Sequence, residues 1–263
     1  MGSGGVKQRI LFIAGLHRSG TSILHRGIRQ HPQVSGFYNT GVPEDEGQHL
    51  QTVFPTARQL GGPGRFAFHR RAHLTETSAL VTAENRDRLI REWGNYWDFS
   101  RPVLVEKSPK NLVQMRFLQA LFPESYFLVI LRHPAVVAMA TRKWAKRRPL
   151  IHLIRHWLHA HRFLMEDLPH LMHCRIIYYE DFVLNPKDHF LRIFRWIEVE
   201  PFHPETEVRN ANTGYLEQWK ELSAWYRKWI KHRYEHAARA LGYSFEDLSR
   251  AIRPSLNLDR YRL

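Results

Sequence analysis

The sequence predicts an α/β fold of three layers, α/β/α, built on a central parallel sheet of four to five strands. Four short apolar runs, at residues 10–14, 102–105, 126–131 and 175–179, are separated by segments with helical periodicity. Continuous apolar runs of this length are typical of strands that are buried on both faces. Strands that alternate with helices indicate right-handed crossovers, which place helices on both sides of a parallel sheet.

The first strand leads into a loop with two glycines and then into a helix, all within residues 9–31. The loop, residues 15–22, has the sequence GLHRSGTS, and we expect the helix to begin near Ser19. Such a loop can turn successive backbone N–H groups toward one point, where the helix N-terminus adds a partial positive charge. The sequence therefore predicts an anion-binding site at this turn.

The spacing of the loop is close to the phosphate-loop pattern G-x-x-x-x-G-K-[ST], with one informative difference. Gly15 and Gly20 match, and Ser22 stands where a magnesium-binding hydroxyl would be, but Thr21 replaces the lysine that neutralises β- and γ-phosphates. A triphosphate enzyme is therefore disfavoured. Arg18 and the two hydroxyls can instead bind a smaller phosphate-like group. For this loop alone, an ordinary strand-to-helix turn remains the alternative.

The segment between the first helix and the second strand is rich in turn residues. It carries an acidic cluster at residues 44–46 and one nearby histidine, His49. These carboxylates either act in catalysis or cap a helix that begins near Gly47. Residues 61–75 contain three glycines and a proline, which predicts a mobile surface loop. Apolar residues at helical spacing predict a helix over about 83–97.

The later strands each end in charged or polar residues. Lys107 follows the second strand and Arg132 the third, with a helix predicted between them that stops before Pro123. A longer helix is expected over about 150–168, and the chain from residue 188 onward is mainly helical. In this last part we expect three tryptophans to lie in the core: Trp219, Trp225 and Trp229.

Ligands of open parallel sheets bind outside the carboxyl ends of the strands, so residues that directly follow each strand share one crevice. This rule places Arg18, Lys107 and Arg132 along one edge, with Tyr179 nearby. A single cation after a strand is usually a solvated loop residue. Three cations after successive strands, beside an anion-binding loop, indicate a functional site.

Length and composition limit the classes of protein. The 263 residues contain one cysteine, Cys174, which excludes an internal disulfide and a multi-cysteine metal site. We expect a single domain over residues 9–263, after a disordered or cloning-derived segment at residues 1–8. Because no apolar run has membrane-spanning length and the first residues lack the apolar core of a signal peptide, we expect a soluble, cytoplasmic protein.

The formal net charge of +14, with 17 histidines, indicates an anionic partner. Basic residues are dense at 142–148 and again at 227–233, although such runs are more often solvated helix faces than sites. We find no nucleic-acid-binding motif and expect no nucleic-acid partner. The first of these runs also suits peripheral contact with an anionic membrane. The sequence does not predict an oligomeric state.

Taken in order, the motifs resemble those of the sulfotransferase superfamily that uses 3'-phosphoadenosine 5'-phosphosulfate (PAPS), and the tyrosylprotein and bacterial branches most. HRSGTS at 17–22 is similar to the 5'-phosphosulfate loop, and EKSPKN at 106–111 to the segment with an active-site lysine. LRHPAVVAMA at 131–140 is similar to the 3'-phosphate segment. YYEDFVLNP at 178–186 also matches, and RNANTGYLEQW at 209–219 resembles a C-terminal segment that closes over the donor.

The resemblance implies transfer of a sulfuryl group from PAPS to an acceptor hydroxyl by in-line attack, without a metal. Glu46 is the preferred base, followed by Glu44, with His49 as a further candidate, and Lys107 is the implied stabiliser of the leaving oxygen. The family commonly has a serine eight residues after its 3'-phosphate arginine, where this chain has Ala140 followed by Thr141. The implied donor-binding residues are Arg18, Ser19, Gly20, Thr21, Ser22, Arg132, Thr141, Tyr179, Arg209 and Asn212.

The acceptor stays open at this stage. The resemblance implies a hydroxyl-bearing carbohydrate, glycolipid or small metabolite. Two other classes of function remain as alternatives: a nucleotide-dependent phosphotransferase with a phosphate loop, which would need magnesium, and a nonenzymatic protein that binds polyanions through its charge alone.

Overall fold

The computed structural model describes residues 8–263, so the expectation for residues 1–8 falls, apart from Gln8, outside the described part of the chain. Its centre is one sheet of five parallel strands in the order β2-β3-β1-β4-β5. The strands are β1 Arg9–Ala14, β2 Val34–Gly36, β3 Val103–Lys107, β4 Tyr126–Leu131 and β5 His173–Tyr178. The predicted parallel α/β fold is confirmed.

Helices cover both faces of the sheet. In the described residues the α-helices are α1 Thr21–Ile28, α2 Ala83–Gly94, α3 Met115–Leu121, α4 Pro134–Arg142, α5 Leu150–Asp167, α6 Tyr179–Leu184, α7 Pro186–Trp196, α8 Thr213–Glu221 and α9 Ala224–Ala240. Side chains of β1 alternate between the two layers. Phe12 packs with the cluster that contains residues of α3, α4 and α5, whereas Leu11 and Ile13 pack with residues of α1 and α7.

The strand register positions the site. Ile13 pairs with Lys107, and Ala14 pairs with Val129, so β1, β3 and β4 end at the same edge of the sheet. β1 lies between β3 and β4 in the sheet, and the loop that follows it therefore emerges between the residues that follow its two neighbours. This is the geometric reason that residues distant in sequence meet at this edge.

Several elements differ from the sequence-based expectation. α1 begins at Thr21 rather than near Ser19, and α2 ends at Gly94 rather than at 97. The edge strand β2 was not predicted, because only one of its three residues, Val34, is strongly apolar. Trp219 is buried as expected. Trp225 and Trp229 are not core residues, since α9 buries Ile230 and Ala238 and leaves these two rings exposed.

The segment 61–75 is packed against the protein and is not a free surface loop. Phe66, Ala67 and Ala72 are fully buried within it. The backbone N–H of Ala67 donates to Nε2 of His156 at 3.2 Å, which ties the segment to α5. No helix in residues 8–263 has both the length and the apolar character needed to cross a membrane.

Candidate functional site

The loop between β1 and α1 has the backbone conformation of an anion-binding turn. Arg18 adopts a left-handed conformation with a φ of 69°, and Gly20 has a φ of 106°. A Cβ atom on Gly20 would lie 2.8 Å from Cδ2 of Tyr179, so only glycine fits here. Ser19 is buried, and its hydroxyl has no hydrogen-bond partner among the described residues. The turn leaves this hydroxyl and the α1 N-terminus available to a ligand.

Arg132 is a buried cation that lines the cavity described below. Its Nε donates to Oδ1 of Asn212 at 2.9 Å, and its Nη1 donates to the backbone oxygen of Arg18 at 2.7 Å. The guanidinium lies over the ring of Tyr179, with 4.1 Å from Cζ to the ring centroid. Its Nη2 is buried and has no hydrogen-bond partner among the described residues. A buried donor of this kind is costly unless a ligand satisfies it.

Tyr179 connects the arginine to the segment before α8. Its hydroxyl donates to the backbone oxygen of Arg209 at 3.2 Å and accepts from the N–H of Ala211 at 3.1 Å. The side chain of Arg209 itself is exposed and pairs with Glu207 at 2.7 Å. Arg209 therefore contributes its backbone, and its guanidinium lies outside the site in this structure. Asn212, in contrast, contacts Arg132 directly.

Glu180 is a buried carboxylate that the sequence analysis did not select. One of its oxygens accepts from the N–H of His133 and from Nδ2 of Asn212, both at 3.1 Å, while the other accepts from the hydroxyl of Tyr243 at 2.9 Å. Burial raises its pKa. Glu180 thus joins the end of β4, the segment before α8 and the C-terminal part of the chain. A charged residue directly after a buried strand was the signal that could have identified it.

A cavity of about 270 Å³ opens at the carboxyl edge of the sheet. Most of the predicted site residues line it, namely Arg18, Gly20, Thr21, Ser22, Glu44, Glu46, Arg132 and Tyr179. Among the other lining residues, Arg26 and Trp144 add a cation and an aromatic ring that the prediction lacked. The cavity therefore combines three arginines, hydroxyl groups and aromatic rings, a set that suits a phosphorylated nucleotide.

Lys107 and Glu46 form a buried ion pair next to this cavity. Nζ of Lys107 lies 3.4 Å from Oε1 of Glu46 and donates to the backbone oxygen of Glu44 at 2.8 Å. Nε2 of Gln48 donates to the other carboxylate oxygen of Glu46 at 2.5 Å. Burial raises the pKa of Glu46, although the positive charge of Lys107 opposes this effect. His49 lies farther from the same carboxylate, at 3.7 Å.

The acidic cluster takes no helix-capping role in the described chain. Glu46 precedes the short 3-10 turn Gly47–His49 but makes no side-chain capping bond to it. Glu44, with a φ of 56°, accepts a hydrogen bond from the hydroxyl of Ser22 at 2.9 Å. Asp45 instead holds its own loop, because its carboxylate accepts from both the N–H and the hydroxyl of Thr40. Of the three side chains, only that of Glu46 contacts Lys107, whereas Glu44 contacts it through its backbone oxygen.

Glu106, the residue before Lys107, is a second buried acid that the sequence analysis did not assign. Ser108 Oγ donates to Glu106 at 2.5 Å, and Asn111 donates to its other oxygen. Burial raises its pKa to about 7 despite these hydrogen bonds. A Cβ on Gly47 would lie 2.5 Å from Cγ of Glu106, so this side chain packs directly beneath the loop that carries Glu46.

Thr141 lies apart from the main cavity. It is buried in α4 and lines a small void together with His17, Gly64 and His156. In residues 8–263, no cluster of three or more His, Cys, Asp or Glu side chains has an arrangement that could hold a metal ion.

Comparison with known proteins identifies the family and shows similar folds. The sequence profile described as "Sulfotransferase family" matches residues 11–204. A search among curated proteins found no significant match.

Among solved structures, a sulfotransferase from Alicyclobacillus acidocaldarius has a TM-score of 0.57 at 18% identity, with 90% of this chain and 96% of that chain covered. The sulfotransferase domain of the Synechococcus PCC 7002 olefin synthase has a TM-score of 0.50 at 17% identity, with 84% and 90% covered. Because the profile spans most of the chain, from β1 to beyond α7, the protein belongs to the sulfotransferase family.

Proposed function

We propose that the protein transfers the sulfuryl group of PAPS to a hydroxyl of a carbohydrate, glycolipid or small-metabolite acceptor. The observation that carries this proposal is the position of Arg132, whose buried and unpartnered Nη2 belongs to a side chain that lines the same cavity as the anion-binding loop. A guanidinium with a free donor recognises phosphate. PAPS carries both a 3'-phosphate and a 5'-phosphosulfate, which matches two separate cationic positions.

The residues present fit this donor. Gly20 lines the cavity with a positive φ, and Ser19 offers a buried, unpartnered hydroxyl. We assign Arg18, Thr21 and Ser22 to the 5'-phosphosulfate. Arg132, oriented by Asn212 and Tyr179, is assigned to the 3'-phosphate. Thr141 and the Arg209 side chain stay weaker candidates, because neither lines the cavity in this structure.

In the proposed reaction, PAPS supplies the sulfuryl group. The acceptor oxygen forms a bond to sulfur while the bond from sulfur to the 5'-phosphate oxygen breaks, and adenosine 3',5'-bisphosphate leaves with that electron pair. Glu46 takes the hydroxyl proton, a role that contributes on the order of 10² to 10⁴ in rate. Lys107 stabilises negative charge as it develops on the leaving oxygen. Their separation of 3.4 Å supports a shared role in one reaction centre.

Glu44 and His49 are the other candidates for the base. Glu44 binds Ser22, and its backbone carbonyl accepts from Lys107, so its contacts support a role in holding the loop. His49 contacts Glu46 at 3.7 Å and can relay a proton from it to solvent. These contacts favour Glu46 as the base over Glu44 and His49.

Calorimetric titration tests the donor assignment. The protein is titrated with adenosine 3',5'-bisphosphate, with 5'-AMP, and with magnesium-ATP, and a chelator is present in the first two titrations. Tight binding of the bisphosphate alone is the expected result, because only this nucleotide presents a phosphate to Arg132. Tighter binding of magnesium-ATP would favour the phosphotransferase alternative, and binding of none of the three would contradict the proposal.

A further inference from the structure

A run of exposed cations follows α4 and lies beside the donor cavity. Arg142, Lys143, Lys146 and Arg147 are exposed, and Arg148 is half-buried. In the part of the chain that the structure describes, no carboxylate lies within ion-pair distance of any of these five side chains. Like charges at this density repel one another unless a partner supplies the opposite charge.

Trp144 lies within this run and joins it to the cavity. Its side chain is 56% exposed, although it lines the cavity. The guanidinium of Arg18 lies over its ring at 5.0 Å from the centroid, and His17 meets it edge-on at 6.3 Å. An exposed tryptophan at the mouth of a site offers a flat apolar surface to a ligand ring.

A second cationic segment meets the first one. Nε2 of His152, on α5, lies 3.1 Å from the backbone oxygen of Gly64, which places the neighbouring Arg65 beside the start of α5, close after Arg148. Burial lowers the pKa of His152, and the charges of Arg148, Arg155 and Arg65 lower it further. Arg65 is exposed and belongs to the segment that packs against α5. We call the surface formed by Arg65, Arg142, Lys146, Arg147 and Arg148 the cationic rim.

The cationic rim is separate from the cations that face the donor. The cavity is lined by Arg18, Arg26 and Arg132, and no member of the rim lines it. The positive charge of the rim is therefore additional to that of the three arginines that line the donor cavity. Trp144 lies where the two meet, so a molecule that contacts the rim and Trp144 extends toward the cavity that contains Glu46.

The shape of this surface favours a soluble saccharide over a lipid bilayer. A membrane-binding surface needs several apolar side chains that insert below the headgroups. Phe68, near the rim, is also exposed, but its ring packs against His152, His156 and His159. One tryptophan with surrounding cations suits instead the apolar face of a sugar ring that carries anionic groups.

We propose that the acceptor is an anionic saccharide whose sulfate, phosphate or carboxylate groups bind the cationic rim, with a sugar ring on Trp144 and the reacting hydroxyl directed to the cavity. This inference rests on the proposed sulfotransferase reaction and names the substrate class of the same site. It assigns the rim to the acceptor and leaves the donor to Arg18 and Arg132.

The test compares binding of a sulfated oligosaccharide with binding of its neutral counterpart of equal length, without nucleotide present. The wild-type protein is expected to bind the sulfated form with at least about tenfold higher affinity, and added salt is expected to reduce this difference. The variant Lys146→Glu/Arg147→Glu is expected to lose about tenfold or more of this affinity. Trp144→Ala is expected to lose about three- to tenfold for the same oligosaccharide, with Trp144→Phe closer to wild type.

The matched control is Lys228→Glu/Arg233→Glu, which makes the same change of charge at two exposed cations of α9. Its affinity for the sulfated oligosaccharide is expected to stay within about twofold of the wild type, because neither residue belongs to the cationic rim or lines the donor cavity. Equal losses in both charge variants would show a response to net charge alone and would overturn the proposal. A strong preference for phosphatidylglycerol vesicles over the oligosaccharide would overturn it too.

Binding of adenosine 3',5'-bisphosphate separates this inference from the proposed function. The rim variant is expected to bind this nucleotide within about twofold of the wild type, because its substitutions lie outside the donor cavity. A parallel loss of nucleotide binding would assign the rim to the donor and overturn the inference. If the wild type fails to bind the nucleotide but still selects the sulfated oligosaccharide through the rim, the proposed donor is wrong while the cationic site stands.

Discussion

Glu180 accepts a hydrogen bond from Asn212 Nδ2 at 3.1 Å, and Asn212 in turn accepts one from Nε of Arg132 at 2.9 Å. This chain of contacts connects a buried carboxylate to the guanidinium that we assign to the 3'-phosphate. Asn212 lies directly before α8 and 80 residues after Arg132, so the contact also holds the C-terminal segment against the site. We therefore expect Glu180 to act as a positioning residue for the proposed donor site.

Removal of the Glu180 carboxylate is expected to impair recognition of the 3'-phosphate in particular. Glu180→Ala frees Asn212 and Arg132 from a fixed arrangement, and we expect about tenfold weaker binding of adenosine 3',5'-bisphosphate. Binding of 5'-AMP, which has no 3'-phosphate, should change little. Calorimetric titration with both nucleotides measures the ratio of their dissociation constants. A general loss of structure would weaken both nucleotides equally, and Glu180→Gln, which keeps one accepting oxygen, is expected to recover much of the lost affinity.

Neutralisation of Glu46 is expected to remove turnover and preserve donor binding. Glu46→Gln keeps the shape of the side chain but cannot accept the hydroxyl proton, so kcat should fall by about 10² to 10⁴. Affinity for adenosine 3',5'-bisphosphate should stay within about twofold, as read by calorimetry. Glu44→Gln is the matched control, since it changes a neighbouring carboxylate with no contact to Lys107. Full activity in Glu46→Gln, or its loss only in Glu44→Gln, would contradict the assignment.

The pH dependence of kcat/KM provides an independent test of Glu46 as the base. Burial raises its pKa above the usual value of 4.5, and a base acts only when deprotonated. The wild-type kcat/KM should therefore fall as the pH decreases through this raised pKa, so that its acidic limb lies above pH 4.5. A profile that stays level well below pH 4.5 would exclude Glu46 as the base.

Substitution of Lys107 is expected to change both the rate and this profile. Lys107→Met removes the cation at the leaving oxygen, and we expect kcat to fall by about 10² to 10³. The positive charge of Lys107 also lowers the pKa of Glu46, so its removal should move the acidic limb to higher pH. Lys107→Arg keeps the charge and should leave that limb in place. An unmoved limb in Lys107→Met would contradict the coupling between the two residues.

The types of residue at the ends of the parallel strands made much of the candidate site predictable from the sequence. The apolar runs identified four of the five strands, and the rule that parallel strands end at one edge brought Arg18, Lys107 and Arg132 together. Phosphate-loop spacing also selected Gly20, whose positive φ is observed. These predictions succeeded because each depends on local pattern and on a general property of parallel sheets.

Contacts that depend on how the helices and loops pack could not be predicted from these rules. Trp144 and Arg26 line the cavity because of how α4 and α1 are oriented, and the sequence contains no local signal for either. The side chain of Thr141 belongs to a separate void for the same reason. Segment 61–75 carries the composition of a loop, yet histidines of α5 hold it in place. Glu106, at the end of β3, and Glu180, in the first turn of α6, were passed over because charged residues are usually solvated, whereas packing buries both.

Lys110 is expected to limit stability at neutral and acidic pH. It is fully buried; its Nζ donates to Gln114 and lies 4.9 Å from the ring centroid of Phe54, and burial lowers its pKa from 10.5 to about 7. The folded state thus binds this proton less tightly than the unfolded state does, so the free energy of unfolding rises with pH between about 7 and 10.5.

Lys110→Met removes the group that titrates, and urea denaturation as a function of pH measures the free energy of unfolding of both proteins. We expect the variant to gain most, on the order of 1–3 kcal/mol, at pH 6, and to lose this gain as the pH rises past 10.5, where wild-type Lys110 becomes neutral in both states. Lys143→Met, at an exposed lysine, is the matched control and should follow the wild-type curve within about 0.5 kcal/mol. A gain that does not depend on pH would mean that better packing, and not the removal of a buried charge, stabilises the variant.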